Sequence, residues 1–158
     1  MRGLIFTFTK RISRFNGELL YIERDYSLLY RPHDKNANIS IMIGGYTSLD
    51  TICETGLITH ISGLNPKHIW IPTIAQMPRG VLGNLLVHFD NPPLKGTGID
   101  YNRGWKTFHN LNNNCICVGD CVTVEGDDCV EFANGIVAVL RKNQLVSLWA
   151  KVTFLDAE

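Results

Sequence analysis

Apolar and polar residues alternate with a period of two along much of this chain, most clearly between Cys115 and Leu155. Ile136–Leu140 and Leu145–Leu155 are rich in β-branched and aromatic residues, which favour strands. The polar run 141–144 between them predicts a hairpin turn. Two strands alone cannot bury their apolar face, so we expect this hairpin to pack against strands from elsewhere in the chain.

Short apolar runs in the rest of the chain predict further strands. They lie at Leu4–Thr9, Leu19–Ile22, Ser27–Tyr30, Ile39–Ile43 and Cys115–Val124, with Asn16-Gly17 as a hairpin signal between the first two. From Leu57 to Pro93 the chain is rich in glycine and proline, which predicts an irregular middle with only short extended pieces at Ile69–Ile71 and Leu85–Phe89.

One segment, Ser48–Thr55, predicts a helix of about two turns. Thr47 or Ser48 can cap its first turn, and Gly56 is placed to end it. The predicted fold class is therefore α+β and mostly antiparallel β, built as one sheet or a two-sheet sandwich with one or two short helices.

Length and composition predict a single globular domain spanning residues 1–158. Hydrophobic residues make up 45% of the chain and charged residues only 19%, a composition typical of a packed protein. No apolar run is long enough for a secretory signal or a membrane-spanning helix. We therefore expect a cytoplasmic protein without a membrane association, whose oligomeric state the sequence does not determine.

The chain has five cysteines, an odd number that favours reduced thiols over a disulfide framework. Four of them lie close together, but their spacing lacks the Cys-x2-Cys pairs that close a zinc site. We expect these thiols to fill the core of the protein, and we predict no metal and no cofactor. The four are Cys115, Cys117, Cys121 and Cys129.

The formal net charge is zero, but acidic residues are concentrated in one segment of the carboxyl-terminal half. Residues 115–131 contain five acids and no lysine or arginine, namely Asp120, Glu125, Asp127, Asp128 and Glu131. One interpretation is a set of solvated turn and strand-edge residues. The other is a docking surface for a basic protein, and such a surface would repel nucleic acid.

The segment Lys95–His109 contains the densest group of residue types that carry chemistry. Asp100 and His109 would make an acid-base pair, and Arg103 or Lys106 would hold an anion, so a hydrolase site is one interpretation. Its glycines do not match a phosphate-binding loop. The alternative is a loop that is anchored to the core by its aromatic residues, Tyr101, Trp105 and Phe108.

Four segments resemble the carboxyl-terminal two-thirds of bacterial immunity proteins from contact-dependent growth inhibition systems. They are Gly96–Tyr101 with Trp105, Cys115–Asp120, Val130–Asn134 and Val146–Lys151. The resemblance implies a small cytoplasmic inhibitor that has no catalytic activity. Such an inhibitor binds the toxin domain of a sister cell's effector, often a nuclease, and blocks its active site. The resemblance assigns no role to an individual residue.

These observations predict an immunity protein whose partner is a cognate toxin domain. The five acids of residues 115–131 are the expected contact charges, because a nuclease needs a basic surface to hold phosphates. Tyr101 and Trp105 are the expected aromatic anchors. The alternative function is a small cytoplasmic hydrolase with Asp100 and His109 in its site. A third is a ligand-binding or structural module of a mobile element, in which the irregular middle would wall a pocket.

Overall fold

The computed structural model describes residues 4–11 and 16–155, which form fourteen strands and two short 3-10 turns. The turns are Glu23–Asp25 and Lys67–Ile69. The strands are β1 (Ile5–Lys10), β2 (Glu18–Ile22), β3 (Ser27–Arg31), β4 (Ile39–Ile43), β5 (Tyr46–Ile52), β6 (Leu57–Leu64), β7 (Ile71–Pro72), β8 (Val81–His88), β9 (Gly98–Asn102), β10 (Thr107–Asn110), β11 (Cys115–Gly119), β12 (Asp128–Ala133), β13 (Ile136–Arg141) and β14 (Gln144–Leu155). The prediction of a mostly antiparallel β protein is therefore confirmed.

All fourteen strands are joined into one mixed sheet. Its main path runs β1-β8-β12-β13-β14-β2-β3-β6-β5-β4-β9, and β11, β10 and β7 branch from β14 in that order. A further pairing between β6 and β8 closes the strands from β8 to β6 into a ring. Most ladders are antiparallel, and the parallel ones join β4 to β9, β7 to β10, β8 to β12 and β2 to β14.

The longest strand, β14, holds the two halves of the chain together because it changes neighbours along its length. Residues 147–151 pair with β11, whereas residues 152–155 run parallel to β2. On its other side β14 pairs with β13 through the predicted hairpin. Lys142 and Asn143 form the tip of that hairpin with φ angles of 53° and 63°, as a two-residue turn between twisted strands requires.

The apolar residues of these strands form one large core and one smaller cluster. Every residue of β11 is buried, because β10 and β14 flank it and other residues cover both of its faces. Cys117 belongs to the smaller cluster with Val137, Val139 and Trp149, and burial raises the pKa of its thiol. Cys115 is buried as well, so both thiols fill the interior.

The predicted helix at Ser48–Thr55 is wrong, because this segment belongs to strand β5 and the turn that follows it. Strand β5 lies between β4 and β6 and pairs with both along most of its length. Helix-capping residues act only locally, and a helix of two turns is unstable without tertiary contacts. The fold class α+β therefore overstates the helical content, since the described residues contain no α-helix.

Two further expectations about the strands need correction. Asn16-Gly17 does not form a hairpin between β1 and β2, because β1 pairs with β8 while β2 pairs with β3 and β14. The middle of the chain is also more regular than its glycines indicated, since β6 and β8 are eight residues long. Position 63 of β6 requires glycine, because a Cβ there would meet the backbone of Tyr46.

Candidate interaction site

The acidic residues between β11 and β12 form a short ordered loop, which we call the acidic loop (residues 120–128). Two side chains hold its backbone from within. The N–H of Val122 donates to Asp120 Oδ1 at 3.0 Å, and the N–H of Val124 donates to Asp127 Oδ2 at 2.9 Å. The loop is tied to β14 where the N–H of Asp120 donates to the carbonyl of Val146. The Asp120 bond is of the Asx type, and together the two bonds give the loop a defined conformation.

Arg141, at the end of β13, connects the acidic loop to the β13–β14 hairpin. Its Nε donates to Asp127 Oδ1 at 2.8 Å and a terminal nitrogen donates to Asp127 Oδ2 at 2.9 Å, which is the two-bond arrangement of a strong pair. The same terminal nitrogen lies 3.4 Å from the carbonyl oxygen of Val122. Because of the Arg141 bonds the pKa of Asp127 is lowered, so this carboxylate stays ionised.

The five acids singled out in the sequence do not share one environment. Asp120, Glu125 and Asp128 are exposed at the surface of the acidic loop. The carboxylate of Asp127 is only 2% exposed. Glu131 is half-buried in β12 and accepts a hydrogen bond from the N–H of Gly135. Glu125 and Asp128 are thus available to a partner, whereas Asp127 and Glu131 stabilise the loop and the β12–β13 turn. Asp120 does both, because it is exposed, accepts the N–H of Val122 and lies 3.7 Å from Nη1 of Arg141.

The exposed acids of the acidic loop stand beside two exposed valines. Val122 and Val124 are 63% and 50% exposed, although valine is usually buried. Apolar side chains among charges are typical of contact surfaces, where they lose water on binding while the charges orient the partner. The acidic loop therefore combines a rigid backbone, apolar contact area and negative charge.

The two aromatic residues expected as anchors lie next to each other at the border of the acidic loop. Tyr101 donates its hydroxyl hydrogen to the carbonyl of Leu145 at 3.0 Å, and burial raises its pKa. Its ring packs edge-on against Trp105 at a centroid distance of 5.8 Å. The Trp105 ring covers Gly119, where an added Cβ would lie 3.1 Å from it. Tyr101 therefore anchors β9, and Trp105 packs against the residue that precedes the acidic loop.

The structure does not bring together the acid-base pair of the hydrolase hypothesis. Asp100 is exposed on β9 and its Oδ1 lies 2.9 Å from Nε of Arg103. His109 is buried in β10, where its ring packs against Trp70 and Phe154. Burial and the nearby Lys67 ammonium lower the pKa of His109, so this imidazole is neutral near pH 7. No hydrogen bond or ion pair joins Asp100 to His109 among the described residues.

A different acid-histidine pair, which the sequence analysis missed, lies across the β5–β6 hairpin. His60 Nδ1 is 3.0 Å from Asp50 Oδ2, and the Asp34 N–H donates to His60 Nε2 at 3.0 Å. The two residues are direct cross-strand neighbours, so strand assignment of residues 46–52 would have revealed them. Nε2 already accepts a backbone hydrogen bond and Nδ1 faces Asp50. Neither nitrogen of His60 is therefore free to take a proton from a nucleophile. The pair connects residues 32–38 to the sheet.

Arg103 and Lys106, the candidate anion-binding residues, line one cleft of about 390 Å³, which we call the basic cleft. Trp105, Thr107, Asn65 and Ile69 are among the other residues around it. Asn65 is a buried polar hub at this site. Its Nδ2 donates to the hydroxyls of Thr47 and Thr107, and its Oδ1 accepts from Trp70 Nε1 at 2.8 Å.

Possible metal ligands do not converge in the part of the chain that the structure describes. No three histidine, cysteine, aspartate or glutamate side chains there are arranged as a metal site requires. Cys121 and Cys129 lie beside Cys117 in the smaller apolar cluster. In residues 4–11 and 16–155 no helix has the length and hydropathy to cross a membrane.

Comparisons of the chain with protein-family models, with curated proteins and with solved structures find no match. No activity or partner is therefore inherited from a relative. The acidic loop and the basic cleft have to be interpreted from their own contacts and charges.

Proposed function

We propose that this chain is an immunity protein that binds and neutralises the cognate toxin domain of a contact-dependent growth inhibition system. The observation that carries the proposal is the acidic loop, which presents three exposed carboxylates and two exposed valines on an ordered backbone. In this proposal the protein acts in the cytoplasm, without a cofactor, by covering a surface of the toxin.

Order in the acidic loop favours tight binding. A flexible loop loses conformational freedom when it binds, at a cost of about 0.5–1.5 kcal/mol for each immobilised side chain. The bonds from Asp120 and Asp127 to the loop backbone hold these residues before any partner arrives. Arg141 adds a third attachment through its carboxylate pair with Asp127. The free energy of binding is then opposed by a smaller ordering cost.

The charge of the acidic loop favours a nuclease as the toxin. A nuclease domain must have a basic surface, because it holds the phosphates of its substrate there. The exposed carboxylates of Asp120, Glu125 and Asp128 complement such a surface. Since the whole chain has no net charge, this local loop and not the overall charge must direct the encounter.

Growth competition on a solid surface tests the proposal. The gene is deleted from the bacterium that encodes this chain, and the deletion strain is mixed with its unmodified sibling. We expect the deletion strain to be lost only on contact with the sibling and to be rescued by a plasmid copy of the gene. Equal survival of the deletion strain and its sibling, with the toxin expressed, would overturn the immunity function.

Charge-reversal variants assign the rescue to the acidic loop. Glu125→Lys combined with Asp128→Lys should rescue poorly, because the loop would then repel a basic partner while the Asp120 and Asp127 bonds to its backbone are kept. The matched control is Glu18→Lys with Asp90→Lys, which reverses two exposed acids outside the loop. Thermal unfolding of both variants verifies that each is folded. Full rescue by the loop variant would remove the acidic loop from the interface.

A further inference from the structure

The segment between β3 and β4, residues 32–37, is fixed at both ends and held in the middle by a single contact. We call this segment the flap. At one end β3 is paired with β2, and at the other the N–H of Asn38 donates to the Thr51 carbonyl at 2.9 Å. Between these ends, one hydrogen bond joins the flap to the other described residues. The Asp34 N–H donates it to His60 Nε2, at 3.0 Å.

The imidazole of His60 is held in one orientation by side chains that do not belong to the flap. Its ring is stacked on the Tyr30 ring, with a centroid distance of 5.5 Å and an interplanar angle of 6°. Nδ1 lies 3.0 Å from Asp50 Oδ2, and that carboxylate accepts hydrogen bonds from the hydroxyls of Ser48 and Ser62. The position of the imidazole therefore does not depend on its contact with the flap.

The hydrogen bond between the flap and His60 requires a neutral imidazole. Nε2 accepts the Asp34 N–H and so carries no hydrogen, which leaves the proton of the neutral ring on Nδ1, beside Asp50. A second proton has to bind at Nε2, where it would meet the N–H of Asp34. Because two donors do not bond to each other, the flap has to leave before His60 becomes charged.

The charges around His60 favour the imidazolium once the flap has left. The Asp50 carboxylate is the nearest of them. None of the described residues that line the adjoining cavity, of about 230 Å³, is a lysine or arginine, and its titratable flap residues are His33 and Asp34. On β12 the negative charge of Glu131 reaches the tyrosine ring that stacks on His60. The open state therefore binds a proton more tightly than the closed state.

We propose that the flap is a pH-sensitive lid, which opens when His60 Nε2 gains a proton and exposes the cavity beneath it. In the closed state Nε2 is occupied by the Asp34 N–H, whereas in the open state it holds a proton that Asp50 stabilises. A proton that binds one of two states shifts the equilibrium towards that state. Histidine suits this role because it changes charge between pH 5 and 8. Acidification therefore opens the lid, and a return to neutral pH closes it.

The lid is a property of the chain that goes beyond the proposed binding of a toxin domain. Residues 32–37 do not overlap the acidic loop, residues 120–128. Opening of the lid is measured on the chain alone, without any partner. Failure of the lid would leave the immunity function standing, and failure of the immunity function would leave the lid standing.

Amide hydrogen exchange of the full chain, followed by NMR, tests the lid. The Asp34 amide reports its opening, and the Asn38 amide reports the fixed end of the flap. After correction for the intrinsic pH dependence of exchange, protection of the Asp34 amide should fall about tenfold between pH 7.5 and 5.5, because the open state gains one proton over this range. Protection of the Asn38 amide should change far less. An Asp34 amide whose protection does not depend on pH would overturn the proposal.

Two glutamine variants assign the effect to one histidine. His60→Gln keeps a hydrogen-bond acceptor but cannot gain a proton, so protection of the Asp34 amide should no longer depend on pH. The matched control is His33→Gln, since His33 is an exposed histidine of the flap itself, and this variant should keep the full change. Persistence of the pH dependence in His60→Gln, or its loss in His33→Gln, would overturn the proposal.

The ¹⁵N chemical shifts of the His60 ring give a second test, which does not require that His60→Gln folds. At pH 7.5 they should show hydrogen on Nδ1 and none on Nε2, and they should change together with Asp34 exchange as the pH falls. Asp50→Asn removes the charge that stabilises the imidazolium, so opening should move to lower pH. A hydrogen on Nε2 at pH 7.5, or an unchanged opening pH in Asp50→Asn, would overturn the proposal.

Discussion

Arg141 and Asp127 form a two-bond ion pair, with nitrogen-oxygen distances of 2.8 and 2.9 Å, that joins the β13–β14 hairpin to the acidic loop. The sequence predicted Asp127 as a contact charge for a partner, but its carboxylate is poorly exposed and pairs with Arg141 within the protein. The pair therefore determines the conformation in which the neighbouring exposed acids are presented.

Replacement of Arg141 by methionine should loosen the acidic loop. The variant leaves the poorly exposed carboxylate of Asp127 without its cation. We expect the melting temperature to fall by about 2–4 °C, the shift that loss of roughly one net hydrogen bond produces in a domain of this size. Amide hydrogen exchange of residues 122–127 should become faster. Arg141→Lys keeps the positive charge but cannot form both hydrogen bonds to Asp127, so its effect should be intermediate. Unchanged exchange in Arg141→Met would contradict this role of Arg141.

Stability should decrease as the pH falls through the range in which His109 gains a proton. Burial lowers the pKa of His109 in the folded protein, whereas the unfolded chain has the ordinary value of about 6.5. The unfolded state therefore binds more protons below pH 6.5, and the free energy of unfolding declines with the pH there. Urea unfolding at pH 7.5 and 5.5 measures this decline. His109→Phe should reduce it, whereas His33→Phe, at an exposed site, should leave the contribution of His109 intact.

Gly63→Ala should destabilise the fold far more than Gly98→Ala. At Gly63 the φ angle is +112°, and an added Cβ would meet the carbonyl oxygen of Tyr46. At Gly98, also in a strand, an added Cβ meets nothing within 4 Å. We expect Gly63→Ala to cost about 1–3 kcal/mol, as overpacking does, and chemical unfolding measures it. Equal stability of the two variants would show that β6 can move away from β5 without a cost.

Asn65→Ala should remove the polar hub under the basic cleft. It leaves the Trp70 indole and the hydroxyls of Thr47 and Thr107 without their shared partner. Each unsatisfied buried group costs about 1–3 kcal/mol, so the free energy of unfolding should fall by at least that amount. Thr107→Val removes one partner only and should cost less. A double-mutant cycle with both changes should show strong coupling, and additive effects would contradict a shared network.

Association of the chain with the toxin domain of the proposed function should depend on salt through the acidic loop. The variant with Glu125→Lys and Asp128→Lys should associate about tenfold more slowly at low ionic strength, because encounter is steered by charge. The difference should shrink as added salt shortens the Debye length. Stopped-flow measurements with the isolated toxin domain give both rates. A difference that does not change with salt would indicate a local contact effect instead of steering.

Where local chemistry determines structure, the sequence predicted it. The β13–β14 hairpin was predictable because its turn and its alternating strands are contiguous, and β4 was predicted at Ile39–Ile43 for the same reason. The helix prediction at Ser48–Thr55 was wrong because it rested on capping signals within the segment. The segment instead forms hydrogen-bonded ladders with β4 and β6, which its own residues do not reveal. The pairing of β1 with β8 was also not predictable, since about seventy residues separate them.

By itself the sequence determined that this protein is mostly β, that its cysteines favour the interior, and that acids cluster between Cys115 and Glu131. Only the tertiary structure decided which of those acids face solvent, because Arg141 reaches Asp127 through the β12–β13 pairing. It also decided that Asp100 and His109 lie in different environments and that Asp50 lies opposite His60. Composition and the alternation of apolar and polar residues can be read along the chain, whereas the partner of each charge depends on which distant strands pair.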